Sequence, residues 1–376
     1  MRRVRRGALL LTLVLLLPLF GGCLDSHEIE TLAIVSGLAV DRGEEKTFRV
    51  TAELISSKSE QTSSLSVSAE GDTVYDCIRS LVSPAGKTLY LSHCKVCILS
   101  LDAAADGLPS LIDWANRDTE GRLTMSLLLT EGHAADLFSE QPKAGTAVAF
   151  NIADSLNSSL SGITNLSIHN FIDLGIDAGK TPYVPVISLS EEGAPEVKKL
   201  SFLKGNIPAG LISGEELFYF SLLRRNRDRH TLTVKNDRGA YTVELKPERS
   251  NFQFSFEGGA LQFRFDYRLG AELLNISYPF DPHDEDAVAR MEVEIECTVK
   301  DGLRALVARS QAEFGLDIAG LGSVIYRKEP TLFDSIRETY SELYRNAAFS
   351  FDTRVTLRGT GVSGVTVFAG DRKGVN

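Results

Sequence analysis

The 376-residue chain has few of the residues and motifs that define several protein classes. Five cysteines are too few for the disulfide scaffold of a small secreted domain. No Walker A, HExxH or GxSxG motif occurs, so these common catalytic signatures are missing. Positive charge is also in deficit, because 40 Lys and Arg face 50 Asp and Glu. The resulting net charge of −10 argues against nucleic-acid binding by counterion release.

Only one long apolar run is present, which excludes a transporter with many membrane spans. It covers Gly7–Phe20 and follows the basic segment Met1–Arg6. As a helix this run would rise about 21 Å, which is short of a hydrocarbon core of about 30 Å. A basic start followed by an apolar stretch of this length is typical of a signal peptide. We therefore predict that residues 1–22 are a signal peptide.

The residues after the apolar run, Gly21, Gly22 and Cys23, resemble a bacterial lipobox. In such lipoproteins the cysteine thiol carries diacylglycerol and the signal is cut just before it. Phe20 stands where Leu is usual. Ordinary secretion and an uncleaved anchor are the alternatives. Two acyl chains suffice for stable attachment, so we expect lipidation of Cys23 to tether the chain to the outer face of a membrane.

The remaining composition is that of a folded protein, with 43% hydrophobic and 24% charged residues. Apolar runs and period-two alternation predict strands at 32–40, 48–54, 89–101, 123–130, 182–189, 202–211, 231–235, 241–245, 252–256, 261–267, 272–277 and 349–357. Helical spacing predicts helices at 74–82, 102–114, 146–156, from 215, at 288–310 and at 332–343. We interpret 56–68 as a loop, and prolines place 182–189 near a sheet edge.

Strands mixed with segregated helices predict the α+β class, with each sheet mainly antiparallel or mixed and flanked by helices. The length predicts two to three domains. A polar, charged stretch at Glu191–Lys199 indicates a boundary. We therefore expect an N-terminal α/β domain at 23–192 and a C-terminal α/β domain at 198–376. The second would hold a meander of strands, a long helix, a further helix and a final strand.

Cys94 and Cys97 form a CxxC motif inside the predicted strand 89–101. Side chains at positions i and i+3 of a strand point to opposite faces, which favours small buried cysteines over a disulfide or a metal site. Residues Gly359–Gly364 match GxGxxG after a strand, but no helix follows that could receive a pyrophosphate. A glycine-rich turn is the better interpretation.

Two charged clusters carry open alternatives. Carboxylates where the long helix begins either cap its free N–H groups or bind a divalent ion. A basic run either forms a solvated helix end or contacts anionic headgroups or an acidic partner. No catalytic residue, cofactor or metal ligand is assigned. The acidic cluster contains Asp281, Asp284, Glu285 and Asp286 around His283, and the basic run contains Arg224, Arg225, Arg227, Arg229 and His230.

Four segments, taken in order along the chain, carry a resemblance to a known family. They are 24–30 with the strand after it, Leu89–His93 with Arg117, Asp118 and Arg122, Lys204–Glu216, and finally Gln311, Asp317-Ile318, Gly320-Leu321-Gly322, Tyr326-Arg327 and Pro330. Together they resemble the Ger(x)C lipoproteins, the C subunits of GerA-type spore germinant receptors. Leu24 and His27 stand where that family usually has Trp and Arg, and Phe333 and Tyr344 occupy its usually Trp-rich helix.

This resemblance implies α/β domains and a lipid-anchored, non-catalytic subunit of a nutrient receptor that is required for spore germination. It also implies two integral-membrane partner subunits, of A and B type, and a location on the outer face of the spore inner membrane. The alternative is a ligand-binding membrane lipoprotein that captures a small nutrient in a cleft between domains. An envelope hydrolase is a third, weaker hypothesis.

Overall fold

The computed structural model describes residues 31–56, 63–118, 121–139, 147–158 and 165–359. The predicted signal peptide and Cys23 lie outside these residues, as does the GxGxxG segment beyond Gly359. Among the described helices, none is both long and apolar enough to cross a bilayer.

Within the described residues the first sheet has nine strands, and β1, whose residues 35–41 are all buried, is one of its interior strands. β1 pairs antiparallel with β2 and parallel with β5. The order is β3-β2-β1-β5-β6-β7-β8-β9, with β4 also on β1. The strands are β1 (Leu32–Arg42), β2 (Phe48–Ser56), β3 (Ser63–Gly71), β4 (Thr88–Tyr90), β5 (Val96–Ser100), β6 (Ser126–Thr130), β7 (Tyr183–Leu189), β8 (Pro195–Lys204) and β9 (Ile207–Ser213).

Helices cover both faces of this sheet. Successive residues of a strand point to opposite faces, so a strand that is buried at consecutive positions needs packing partners on both sides. Leu38 joins the core that contains Trp114, whereas its neighbour Ala39 joins a smaller core with Val148 and Ile152. The helices are α1 (Val74–Ser80), α2 (Val82–Ala85), α3 (Leu101–Arg117), α4 (Val148–Ser158) and α5 (Ile168–Ile176), with 3-10 turns at Leu91–His93 and Ala134–Phe138.

The second sheet has four strands in the order β10-β11-β12-β13. Its inner face is aromatic and packs against α7, whose buried side chains follow helical spacing from Met291 to Leu306. The strands are β10 (His230–Asn236), β11 (Gly239–Glu257), β12 (Ala260–Ile276) and β13 (Ala348–Gly359). The helices are α6 (Glu216–Leu223), α7 (Glu285–Arg309), α8 (Leu321–Lys328), α9 (Pro330–Ile336) and α10 (Tyr340–Arg345), with a π turn at Ser310–Phe314.

The predicted α+β class is confirmed, since both sheets are mixed and flanked by helices. Several element predictions were wrong in detail. The strand 89–101 is β4, a 3-10 turn and β5, and the loop 56–68 contains the start of β3. The segment 182–189 is not an edge strand, because β7 lies between β6 and β8. The four predicted strands of 241–277 are two long ones, and the helix 332–343 is divided between α9 and α10.

The domain boundary at 192–198 stays a prediction. The two strands on either side of it, β7 and β8, pair antiparallel within one sheet. One hydrophobic core also continues from the first sheet into the second, with Leu38 at one end and Phe351 at the other.

Candidate functional site

The described cysteines of the sequence analysis are free thiols. Cys94 and Cys97 are buried, in agreement with the small-cysteine interpretation. The strand argument was wrong for Cys94, because this residue follows the 3-10 turn and precedes β5. Burial raises the pKa of Cys94 to about 12 and that of Cys77 to about 11. A thiol that resists ionisation is a poor nucleophile and a poor metal ligand.

The acidic cluster begins α7, as the capping interpretation predicts. Asp284 accepts hydrogen bonds from the backbone N–H groups of Asp286 and Ala287, at 3.0 and 3.1 Å. Asp281 accepts one from the N–H of His283 at 2.9 Å. Among the described residues, no three His, Cys, Asp or Glu side chains converge as a metal site requires.

Arginines of the basic run contact several different partners in the described part of the chain. The guanidinium of Arg224 lies 5.3 Å from the centre of the Tyr183 ring, and Arg225 lies over the ring of Phe252. Arg229 pairs with Glu244 at 2.7 Å.

The side chain of His230 also has its partners within the protein. Its ring packs 4.9 Å from Phe218 and hydrogen-bonds the hydroxyl of Ser221 at 3.2 Å. Burial lowers the pKa of His230, so the ring stays neutral near pH 7.

A buried carboxylate that the sequence analysis missed lies in the first sheet. Glu53 is fully buried, and its two oxygens accept the N–H groups of Val148 and Ala149 at 2.7 and 2.9 Å. The hydroxyl of Ser36 donates to it at 2.6 Å. These N–H groups open α4, whose dipole favours a negative charge there. Glu53 thus fixes the start of α4 to strand β2 of the first sheet.

Asp41 does the same for the neighbouring 3-10 turn. Its oxygens accept the N–H groups of Ala134 and Ala135 at 2.7 and 3.0 Å. The sequence signal for Asp41 and Glu53 is an acid within or directly after a predicted strand.

A third buried carboxylate, Asp317, lies before α8. It accepts the N–H groups of Gly320 and Gly322 at 2.9 and 2.8 Å and the hydroxyl of Tyr340 at 2.7 Å. Burial raises the pKa of Asp317 to about 6, although these donors act in the opposite direction. Asp317 therefore holds the loop at 317–320, the start of α8 and the helix α10 together.

The same loop docks on the segment after α5. Gly179 and Gly322 touch so closely that a Cβ on Gly179 would lie 2.5 Å from the backbone of Gly322. The N–H of Ser323 donates to the carbonyl of Gly179 at 3.1 Å, and its hydroxyl donates to Asp177 at 2.9 Å. We call residues 177–180 and 317–323 the joint, because they connect the two halves of the chain.

An open cavity of about 580 Å³ lies between α1 and α3. Its lining includes the exposed ring of Tyr75, the buried Trp114, whose indole N–H donates to Asp118 at 3.2 Å, and an ion pair of Arg117 with Asp113 at 2.6 Å. Both aromatic and charged groups therefore face the opening. The lining residues are Thr73, Tyr75, Ser110, Asp113, Trp114, Arg117 and Asp118.

Comparison with known families assigns nearly all of the described chain. Residues 25–189 match the family described as "Spore germination protein N-terminal domain". Residues 200–361 match "Spore germination B3/ GerAC like, C-terminal". The chain belongs to the Ger(x)C family of spore germination proteins. The resemblance read from the sequence is thereby confirmed.

Individual relatives agree with this family. Spore germination protein KC of Bacillus subtilis (strain 168) is 20% identical over 91% of this chain and 92% of its own length. The putative spore germination protein YfkR of the same organism is 27% identical over 47% of this chain, and the match spans about half of that relative, 49%. The crystal structure of the GerBC protein shares the fold, with a TM-score of 0.57 at 16% identity over 88% of this chain and 100% of that one.

In this Ger(x)C protein, several of the C-terminal residues that carry the resemblance bind neighbouring backbone. Asp317, Gly320 and Gly322 belong to the joint, and Gln311 donates to the carbonyls of Tyr344 and Ala347 at 2.8 and 3.0 Å. These residues hold backbone segments together and are not arranged around an opening. The family signature in this region is therefore architectural.

Proposed function

We propose that this chain is a lipid-anchored, non-catalytic subunit of a nutrient germinant receptor. The observation that carries the proposal is the match to spore germination families over nearly the whole length of the chain. The matched region begins directly after the lipobox-like segment that ends at Cys23. A diacylglyceryl group on this thiol would hold the folded body on the outer face of the spore inner membrane.

In this proposal the chain acts by binding partner proteins at the membrane. Tethering two proteins to one membrane raises their effective concentration, so a modest contact surface gives a stable assembly. We propose that the partners are the integral-membrane receptor subunits of A and B type. The chemistry of the interior supports a role without catalysis, because Asp41, Glu53 and Asp317 already bind backbone N–H groups. These carboxylates lie inside the fold and hold helix starts, so they are not available to a substrate.

The anchor is tested by Cys23→Ala in the spore-forming host. We expect loss of palmitate labelling, loss of the protein from the membrane fraction and a large drop in nutrient-triggered germination. Cys297→Ala is the matched control, because Cys297 is an exposed free thiol in α7. It should leave all three readouts unchanged. Normal germination with a delocalised Cys23→Ala protein would refute the anchored-subunit proposal.

The cavity beside Trp114 favours a second candidate, capture of a small nutrient. Its volume of about 580 Å³ lies within the range of about 300–1,000 Å³ that is usual for ligand pockets. An aromatic face with the charges of Asp113 and Arg117 suits a zwitterion or a sugar.

Trp114 offers a clean test, because the chain contains a single tryptophan. Titration of the full-length protein with amino acids and sugars should change the indole emission with a saturable dependence. Arg117→Gln should weaken that response, and Arg304→Gln, which alters an exposed pair on α7, should not. A flat emission signal across these titrations would retire the capture hypothesis and leave the receptor-subunit proposal intact.

A further inference from the structure

Three arginines form one row across the second sheet. Strand register places Arg249 of β11 opposite Arg268 of β12, and Arg268 opposite Arg354 of β13. Paired residues of neighbouring strands point to the same face. All three side chains are exposed on the face opposite the aromatic core. With strands about 4.8 Å apart, the row spans about 10 Å. We call these three residues the arginine row.

The arginine row forms no ion pair with the described residues, although the carboxylates of Asp266 and Asp352 lie in the next row. None of its guanidinium groups makes a hydrogen bond or an ion pair with a described residue. Another arginine on the same face of the second sheet does form an ion pair. Arg358 of β13 reaches across β12 to Glu248 of β11, with two contacts at 3.0 and 3.1 Å. Gly270 of β12 leaves room for this crossing, because a Cβ there would lie 2.8 Å from Glu248.

Such a row is costly for the isolated protein. Like charges directly opposite one another destabilise a sheet, and here two such pairs are adjacent. The chain as a whole is acidic, with a net charge of −10, whereas this row places three arginines side by side. Repulsion among these arginines destabilises the sheet that carries them. An anion that binds the row in the assembled state would offset this repulsion and explain why the arginines are unpaired here.

The surroundings select the kind of anion. Asp266 and Asp352 lie opposite each other in the next row, and Arg264 pairs with Asp266 at 3.2 Å. A flat plane of lipid phosphates would meet these carboxylates together with the arginines. Single carboxylates on a protein segment can contact the arginines and avoid the acids. A shallow cavity of about 210 Å³ over the row fits groups of that size, and its lining is Arg249, Asn251, Asp266, Tyr267, Arg268, Asp352 and Arg354.

We propose that the arginine row docks an acidic segment of a partner protein, with two or three Asp or Glu side chains spread over about 10 Å. The inference rests on the proposed role as a receptor subunit and adds the surface through which a partner is bound. Guanidinium groups pair with carboxylates in a bidentate geometry, so a row of three gives specificity as well as attraction.

The direct test uses hexaglutamate as the probe and the full-length, detergent-solubilised protein. We expect saturable, salt-sensitive binding that falls at least tenfold in the double variant Arg268→Gln, Arg354→Gln. The charge-matched control is Arg79→Gln, Arg227→Gln, at two exposed arginines outside this sheet. Equal loss in both double variants would overturn the proposal, as would binding to phosphatidylglycerol vesicles but not to hexaglutamate.

Stability gives an independent readout. Because the row repels itself, Arg268→Gln should leave the melting temperature unchanged or raise it by about 1–2 °C. A fall of several degrees would mean that Arg268 is a structural residue and would contradict the docking role.

Germination separates this inference from the function beneath it. The double variant Arg268→Glu, Arg354→Glu should remain in the membrane fraction, lose co-purification with the membrane subunits and impair germination. If it co-purifies normally while Cys23→Ala still abolishes germination, the docking inference fails and the anchored-subunit proposal stands. If Cys23→Ala also germinates normally, both fail.

Discussion

Three carboxylates in this protein show how a single buried acid organises a helix start. Asp41, Glu53 and Asp317 each receive two backbone N–H groups, and a helix N-terminus supplies part of the compensating positive charge. Sequence reasoning could locate the apolar strands around Asp41 and Glu53. It could not locate their partners, because the partner backbones lie more than 90 positions away in both cases.

Asp317 makes the stability of the fold depend on pH. Its pKa is about 6 in the folded protein and about 3.9 in an unfolded chain. Between these values the folded state binds more protons, so the free energy of unfolding falls as the pH rises from about 4 to about 6. The loss from this one group is about 3 kcal/mol.

The measurement is urea unfolding at several pH values, for the wild type and for Asp317→Asn. The wild type should lose stability relative to the variant across this window, and the difference should be constant above about pH 7. A pH-independent difference would show that the carboxylate keeps an ordinary pKa.

At the scale of elements, the two long strands of the second sheet were the hardest to predict. The alternation pattern predicts four short strands at 241–245, 252–256, 261–267 and 272–277, whereas the structure has two long ones. In the structure Pro247 lies at a register shift and beyond the end of β10, so its missing N–H removes no bond to that strand. Pro185 is tolerated inside the first sheet for a similar reason, because β7 pairs with β6 only at Leu129 and Val186.

The edge strand of the second sheet is shielded by α7. Glu296 accepts the N–H of Val355 at 2.9 Å, and Glu292 accepts the N–H of Leu357 at 2.8 Å. Unpaired edge donors invite pairing with another chain. The double variant Glu292→Ala, Glu296→Ala should therefore self-associate in a concentration-dependent way, as measured by light scattering.

Two other acids of α7 provide the control for this edge. Glu285 and Asp301 are exposed, and their double alanine variant has the same change of charge. That variant should stay in the oligomeric state of the wild type. Association of both variants to the same extent would point to lost charge repulsion and not to an opened edge.

At the scale of the whole molecule, the joint couples the first half of the chain to the second through close backbone contact and through the hydrogen bonds of Ser323. Gly179 has a φ of +79° and no space for a side chain against Gly322. Gly179→Ala should lower the free energy of unfolding by about 3 kcal/mol, from the left-handed backbone and the overlap together. Gly205→Ala, with a φ of +64° and open surroundings, should cost only about 1 kcal/mol. Equal losses of the free energy of unfolding in chemical denaturation would show that the close contact between Gly179 and Gly322 adds nothing to the stability of the fold.

The same scale limits what the sequence could say about function. The lipobox-like segment around Cys23 is local, so it could be read directly, and the family resemblance depends on motifs in order along the chain. The arginine row is different, because Arg249, Arg268 and Arg354 become neighbours only through strand register. For the basic run at 224–230 the sequence left a solvated helix end and an anionic or acidic contact open, because the contacts of Arg224, Arg225 and Arg229 are with residues remote in sequence.

The parallel pairing of β12 with β13 has a consequence for biogenesis. Residues 277–347 separate these two strands, so the second sheet cannot close until the chain has emerged almost to Gly359. Long-range parallel pairing folds slowly. Until β13 is available, β12 therefore has one unpaired hydrogen-bonding edge, and this is the stage of folding at which a holding chaperone would have most to protect.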